Sequence, residues 1–428
     1  MASVEVLCTA DIHIGRRPTR LPDRLDRADF SPRTILAELA KSAVARGVDA
    51  VVVAGDLVDR ENRYAEAFGA VEAVATTLAE ANIPLIAVAG NHDTDVLPDL
   101  AEAIDHLQLL GRNGTWERTA LTDGEGEPRL HIDGWSFPNR YHHESPVVTY
   151  DLAKEGVPRL GIVHADLSEE GRYAPVPLDD LATSGHEAWI LGHLHAPSLR
   201  HDNPPVLYPG SLQPLDPTES GSHGVWRVSV ETDGTVATEQ LGSASLQYEK
   251  AVVSTTPDQG FHDVVDATHA QLDETVTVCG PETQLLAVDV TIEGRTDSHT
   301  ELRRRRGELE QIEFADGGTA VRVIDVTVDV KPPIDLADRA GDDDPIGYLA
   351  GLLCALEGEE PLEPYRDVIE AAHAGVRETH ASNAYRELKR HDETYSRPTE
   401  AETREVLRKQ GRQLVDALVE QQGVSAGE

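Results

Sequence analysis

Cysteine is nearly missing from this chain: three residues, at 8, 279 and 354, in a total of 428. The set is odd and widely spaced, and Cys8 falls in an apolar run. A disulfide framework is therefore excluded, and a reducing compartment is expected. Lysine is scarce too, with six (41, 154, 250, 331, 389 and 409), and all basic residues total 38 against 76 acidic ones. The formal net charge of −38 excludes a surface that is basic throughout. No apolar run approaches the ~18 residues of a membrane-spanning helix. Met1 leads straight into a β-rich run, so no signal peptide is expected. Together these point to a soluble, cytoplasmic protein without membrane attachment. Internal repeats are missing, as is a Gly-x-x-x-x-Gly-Lys-Ser/Thr loop for nucleoside triphosphates.

What is present is a series of short polar motifs in the first half. They are Asp11-Ile12-His13, Gly55-Asp56-Leu57-Val58-Asp59-Arg60, Gly90-Asn91-His92-Asp93, His164, Gly192-His193-Leu194-His195 and Tyr208-Pro209-Gly210-Ser211. A given tetrapeptide such as Gly-Asn-His-Asp is expected about once in 10⁵ positions, so the whole series is not a coincidence. Each of the first five ends an apolar run: 4–9, 50–54, 85–89, 160–163 and 189–191. Runs without alternation read as strands buried on both faces. Ile35, Leu36, Leu39 and Ala43 repeat at helical spacing, as do Phe68, Val71, Val74 and Leu78. The β-α-β-α-β order predicts a largely parallel sheet with ligands beyond the carboxyl ends of its strands, where the motifs lie. The glycines at 55, 90 and 192 are expected to allow sharp turns and keep the backbone clear of what binds.

The residue types suit two divalent cations. A metal pair about 3.5–4 Å apart clamps the attacking and leaving oxygens of a phosphoryl displacement and needs a bridging carboxylate. Asp56, closing the central strand, is the candidate bridge. Asp11, His13 and His195 complete one site; Asn91, His164 and His193 complete the other. Imidazole, carboxylate and amide without thiolate suits Mn²⁺ or Fe²⁺, with Mn²⁺ the first choice, over Ca²⁺ or structural zinc. His92 follows a ligand on a tight turn and is the candidate general acid, with Asp59 fixing its tautomer. Arg60 either contacts phosphate or pairs with Asp59 or a helix carboxylate.

This motif set resembles the calcineurin-like metallophosphoesterase superfamily, and within it the SbcD-type nuclease subunits of double-strand-break repair complexes. The resemblance spans residues 4 to 211. Two features depart from that branch: Asp59-Arg60 looks like the phosphoprotein-phosphatase form, and Leu212-Gln213-Pro214-Leu215 matches only loosely. The resemblance implies an α/β fold, a β-sandwich flanked by helices (αββα). It also implies metal-dependent 3′→5′ exonuclease and single-strand endonuclease action on DNA, with ATP handled by an SbcC-type coiled-coil ATPase.

The phosphoesterase domain is expected to cover 1–243, closing on a hairpin through Asp233-Gly234. Residues 246–332 read strand, helix, strand, helix, strand, a small α/β unit placed like the family's capping domain. Its second helix, near 298–312, carries Arg303-Arg304-Arg305-Arg306, either a phosphate contact or a solvated face. A linker rich in Asp and Gly then leads to a helical segment, 345–428, with Asp344 as N-cap. Tyr365, Val368, Ile369, Ala372 and Val376 form one apolar stripe, and Leu407, Leu414, Val415 and Leu418 another. Docking on the ATPase partner is favoured over packing on the chain itself or on a second copy in a homodimer.

The acidity admits two explanations: repulsion of DNA, favouring a small phosphoester or phosphoprotein, or adaptation to a salt-filled cytoplasm. Near 1 M salt the Debye length is about 3 Å, so local charge decides. Residues 16–33 carry Arg16, Arg17, Arg20, Arg24, Arg27 and Arg33 against Asp23, Asp26 and Asp29. The halophilic reading is adopted, with Arg16 and Arg17 as candidate DNA contacts. A phosphatase and a mainly non-catalytic scaffold remain as alternatives.

Overall fold

The structure, a computed structural model, describes residues 3–21, 25, 28–60, 64–358, 363–382 and 398–425. Arg24 and Arg27, with Asp23 and Asp26, lie outside the described residues. The chain divides into a larger unit (1–254, 261–293 and 300–329) and a smaller one (255–260, 294–299 and 330–428).

In the larger unit, β1 (Val4–Thr9), β2 (Ala50–Ala54), β3 (Leu85–Val88) and β4 (Leu107–Leu109) lie parallel. The crossovers contain α1 (Pro32–Arg46), α2 (Tyr64–Glu80) and α3 (Leu97–Ala103). The chain then builds a second sheet from β5 (Trp116–Thr122), β6 (Pro128–Trp135), β7 (Arg159–His164), β8 (Ala188–Gly192), β9 (Ser198–Arg200) and β10 (Val206–Tyr208). The six-residue helix α4 (Leu178–Thr183) precedes β8. A hairpin, β11 (Val225–Val230) and β12 (Val236–Leu241), returns antiparallel to β1, giving the order β12-β11-β1-β2-β3-β4. Gly234 makes its turn at φ 89°.

Alternation within β2 shows why its run is apolar throughout. Val51 and Val53 face α1 and α2, packing with Ile35, Leu36, Leu39, Val71, Val74 and Leu78. Ala50, Val52 and Ala54 face the other way, into a core shared with Leu130, Ile132, Leu160, Ile162 and Ile190 of the second sheet. Each large aliphatic side chain so buried contributes roughly 1.5–3 kcal/mol. The outer face of the second sheet carries Trp135, Trp189, Tyr208 and Leu191 under α4 and loops. The result is a two-sheet sandwich with every motif at a carboxyl strand end. Strands β5, β9, β11 and β12 run antiparallel to their neighbours, so the sheets are mixed.

A third sheet, ordered β13-β14-β16-β15, joins β13 (Leu246–Thr255), β14 (Leu285–Arg295), β15 (Glu313–Asp316) and β16 (Thr319–Lys331), with α5 (Phe261–Val276) between the first two. Two features differ from the expected strand–helix alternation. The helix near 298–312 is two pieces, α6 (His299–Arg304) and α7 (Arg306–Leu309), interrupted at Arg305 (φ −99°, ψ 13°). Strand β15 is additional; Gly317 and Gly318, both at positive φ, close its tight hairpin with β16. Arg305 pairs with Glu301 and Glu308 at 2.8 Å each, and Arg306 with Glu310 at 2.7 Å, so half of the four-arginine run is neutralised locally.

The smaller unit holds α8 (Leu336–Arg339), α9 (Pro345–Glu357), α10 (Arg366–Ala381) and α11 (Glu400–Ser425). Asp344 caps α9 by accepting from Gly347 N at 2.8 Å. Ile346, Leu353 and Val415 form its core, with Leu349 and Leu418 against them. Asp416 accepts from Lys331 at 3.0 Å and pairs with Arg295. Leu414 of the C-terminal stripe stays about half exposed, as does Val406 on the same helix. No helix among the described residues is long and apolar enough to cross a membrane.

Candidate metal centre

The loops after β1 and β2 run side by side. Asp11 N–H donates to Gly55 O at 3.1 Å and His13 N–H to Asp56 O at 2.9 Å. That pairing brings Asp11, His13 and Asp56 together, all nearly fully buried. Donor atoms of Asp11, His13 and His195 lie within 4.8 Å of one another, as do those of His13, Asp56 and His92, and of Asp11, Asp56 and His164. Asn91 Oδ1 stands 3.0 Å from His164 Nε2, which is 3.4 Å from Asp56 Oδ2. His193 places its ring 5.4 Å from that of His164, while its backbone N–H donates to both Asp11 oxygens at 3.1 Å. All seven candidate ligands thus converge at the strand ends, with Asp56 central.

The tautomers make the fit to cations specific. His195 Nδ1 stands 2.9 Å from Glu219 Oε1, His13 Nδ1 3.3 Å from Asp59 Oδ1, and His164 Nδ1 3.2 Å from Ala54 O. His195 and His164 hydrogen-bond their acceptors through Nδ1, so that atom carries the proton in the neutral ring and Nε2 keeps a lone pair; His13 Nδ1 faces Asp59 across 3.3 Å. The Nε2 atoms point inward: those of His13 and His195 are 3.2 Å apart, and that of His164 faces Asn91 Oδ1 and Asp56 Oδ2. Imidazole nitrogens and carboxylate oxygens crowded at these distances are the arrangement a cation satisfies. The residues therefore fit a two-cation site.

The electrostatics follow. Burial, reinforced by the Asp56 charge, pushes the Asp11 carboxyl up to about 8. Burial also raises Asp56, but His164, His13 and His92 more than offset it, and its carboxyl lies below the ordinary range. Burial lowers His164 to about 4 and lowers His13 and His193. His92 moves up, because Asp59 accepts from it and outweighs partial burial. Cations would hold Asp11 ionised and the ligand imidazoles neutral.

Backbone strain marks the same residues. Asp11 (φ 49°), His13 (51°), Asp56 (50°) and His193 (101°) are all left-handed without being glycine. Such positions cost of order 1–3 kcal/mol each and cluster at functional sites. The glycines act differently from expectation. Of 55, 90 and 192, only Gly55 has a positive φ; the other two allow close approach to the ligands themselves. A Cβ on Gly90 would stand 2.2 Å from Asp56 Oδ1, and one on Gly192 1.9 Å from Ala54 O.

His92 is half-buried and its Nδ1 lies 3.5 Å from Asp59 Oδ1, so Asp59 reaches both His92 and His13. Arg17 and Arg60 are exposed and Arg16 half-buried; none of the three forms an ion pair among the described residues. Residues the sequence did not single out complete the site. Buried Asp93 accepts from Gly90 N at 2.8 Å and Val58 N at 3.3 Å, tying two motif loops together. Glu219, besides holding His195, accepts from Ser211 Oγ at 2.8 Å and Leu215 N at 3.1 Å. His223 is buried beside Ser211 Oγ, its Nδ1 3.0 Å away.

Residues 4–197 match the calcineurin-like phosphoesterase family. The chain carries a calcineurin-like metallophosphoesterase domain. YhaO of Bacillus subtilis, an uncharacterised metallophosphoesterase, is 29% identical over 261 residues, covering 58% of this chain and 62% of its own. The DNA double-strand break repair protein Mre11 of Aeropyrum pernix is 28% identical over 234 residues, 51% and 56% of the two chains. The alignments thus span about three fifths of these two relatives. Mre11 of Halobacterium salinarum is 26% identical over 356 residues, 78% of this chain and 84% of that one.

Proposed function

We propose that this chain is the nuclease subunit of a double-strand-break repair complex, hydrolysing DNA phosphodiesters with two Mn²⁺ ions. The carrying observation is the convergence of seven N and O donors, with inward imidazole lone pairs, at the ends of β1, β2, β3, β7 and β8. Asp56 would hold both cations, with Asp11, His13 and His195 at one and Asn91, His164 and His193 at the other. Bound there, the cations supply Lewis-acid activation of water and neutralise charge on the phosphodiester. His92 holds a proton at the mouth of the site, kept on the ring by Asp59, and delivers it to the leaving oxygen. Arg16 and Arg17 would steer the strand.

The relatives named Mre11 support DNA as substrate, and the finer features come with that reading. They are 3′→5′ polarity, a cap formed by 246–332, an SbcC-type ATPase on the 345–428 helices, a homodimer, and a cytoplasmic setting. A salt-rich cytoplasm accounts for the acidity. Exposed Arg60 beside Asp59 favours one competing reading, a phosphomonoesterase or phosphoprotein phosphatase.

Salt separates the two. Binding that releases Z counterions weakens with salt at a slope of about −0.9Z for duplex DNA, whereas an acidic surface adds a repulsion that salt screens. Mn²⁺-loaded protein should therefore degrade linear DNA as well at molar KCl as at low salt, or better. Hydrolysis of nitrophenyl phosphate with DNA left intact at every salt concentration, with and without an SbcC-type ATPase, would replace the nuclease by the phosphatase.

A further inference from the structure

Aromatic residues make up 4% of the chain, and Trp135, Trp189, Tyr208 and Tyr248 are spent on the core. Two tyrosines beside the metal centre are placed differently. Tyr141 lies in the loop after β6 and Tyr173 in the loop after β7. Backbone bonds stitch the loops together: His142 N–H donates to Arg172 O at 3.0 Å, and Ala174 N–H to His142 O at 2.8 Å. The two rings are thereby held with centroids 5.8 Å apart, tilted by 42°. Tyr173 also lies 4.9 Å from the His193 ring. A line of rings thus runs from His164 through His193 and Tyr173 to Tyr141, which is 42% exposed.

Two guanidinium groups flank the outer rings. Arg172 stands 5.7 Å from the Tyr141 centroid and 5.9 Å from that of Tyr173, and Arg140 stands 5.2 Å from Tyr141. Glu144, Glu169 and Glu170 are exposed on the same loops, yet neither arginine forms an ion pair among the described residues. Arg118, Arg305 and Arg306, by contrast, all do. Tyr173 packs partly on the core beneath it, but Tyr141 is not among the aromatics that complete a core. An exposed ring edged by unpaired guanidinium groups suits a flat π-face that carries negative charge beside it, as an unstacked nucleobase with its phosphate does.

Resting on the nuclease reading, we propose that Tyr141, Tyr173, Arg140 and Arg172 form a stacking platform. It holds an unpaired base of a nucleic-acid strand beside the metal centre. In a blunt duplex the base faces are covered by their neighbours, so the platform selects single-stranded or frayed ends.

The test uses the Mn²⁺-loaded full chain and a cleavage-resistant phosphorothioate oligonucleotide carrying 2-aminopurine at its end. Wild type should quench the 2-aminopurine fluorescence, the signature of stacking. Tyr141→Ala should abolish the quench and weaken single-strand binding about 5- to 100-fold, the range for loss of one stacked base. Tyr141→Trp should restore both. An oligonucleotide abasic at its end should bind wild type as weakly as the intact one binds Tyr141→Ala. Blunt-duplex affinity should change by less than about twofold. The platform is overturned if wild type cleaves DNA but Tyr141→Ala and Arg140→Ala/Arg172→Ala bind single strands as tightly as it does. It is equally overturned if Tyr141→Ala weakens abasic and intact strands alike. A wild type that leaves all DNA intact while hydrolysing a small phosphomonoester sinks the nuclease reading itself, and the platform with it.

Discussion

Glu219 offers the sharpest separation of metal chemistry from folding, because one carboxylate serves both. Oε1 accepts from His195 Nδ1 at 2.9 Å, while Oε2 accepts from Ser211 Oγ and Leu215 N. Truncation in Glu219→Ala strands all three donors, and each buried unsatisfied group costs about 1–3 kcal/mol, so that variant should unfold early. Glu219→Gln keeps the shape and an oxygen for Ser211 and Leu215, but its amide presents N–H toward Nδ1. His195 must then lose its acceptor or switch tautomer, turning the proton toward the site. Loss of such a partner lowers metal affinity 10- to 100-fold, or about 1.4–2.7 kcal/mol. Mn²⁺ competition against a chromophoric chelator, run beside thermal unfolding of the metal-free protein, reads the two effects apart. Glu219→Gln should unfold within a few degrees of wild type yet bind Mn²⁺ at least tenfold more weakly. Unchanged Mn²⁺ affinity in a folded Glu219→Gln protein would refute the tautomer argument.

Three further variants probe the acid and the scaffold. His92→Ala should retain both cations by elemental analysis and lose roughly 10²–10⁴ in rate, with the deficit shrinking on a nitrophenolate ester; metal loss would make His92 a ligand. Asp133, fully buried in β6, accepts from Arg118 at 2.6 and 2.8 Å, Tyr150 at 2.6 Å and His186 at 3.1 Å. Asp133→Ala leaves Arg118 only the exposed Glu155 as an acidic partner, 3.5 Å away, and should cost about 3 kcal/mol in denaturant unfolding. Although burial opposes it, these partners hold the Asp133 carboxyl well below its ordinary 3.8. Its stabilisation is therefore present in full above that range and fades as pH falls below it. Acid unfolding of Asp133→Asn should accordingly be less steep than that of wild type below pH 4; parallel acid curves would contradict the assignment.

The sandwich was legible wherever strands were buried on both faces, since β2, β3, β7 and β8 are apolar runs that end on polar ligands. It was illegible at β5 and β6, where Glu117, Arg118, Thr119, Arg129 and Asp133 interrupt the pattern. Their polar side chains are accommodated by an exposed edge and by the Asp133 network, which only tertiary contact reveals. Strand β15 escaped for a related reason: four residues are too few to show a period, although Gly317-Gly318 was a turn signal. At the site, residues inside motifs could be picked out because ligation demands particular types at strand ends. Glu219 could not, because its contact with His195 arises from a loop with no fixed spacing. Asp93 was visible as a letter of its motif, but its work of joining two loops was not. The left-handed φ at Asp11, His13, Asp56 and His193 has no sequence signature apart from the tolerance of Asp and His for that region.

Metal stoichiometry tests the central claim most directly. Full-length protein loaded with Mn²⁺ and freed of excess should carry two ions per chain by elemental analysis. Phosphodiester hydrolysis should rise with the loading of that pair, and Asp56→Ala should lose bound metal and all turnover. A single ion per chain, or hydrolysis that survives in Asp56→Ala, would contradict the two-metal account.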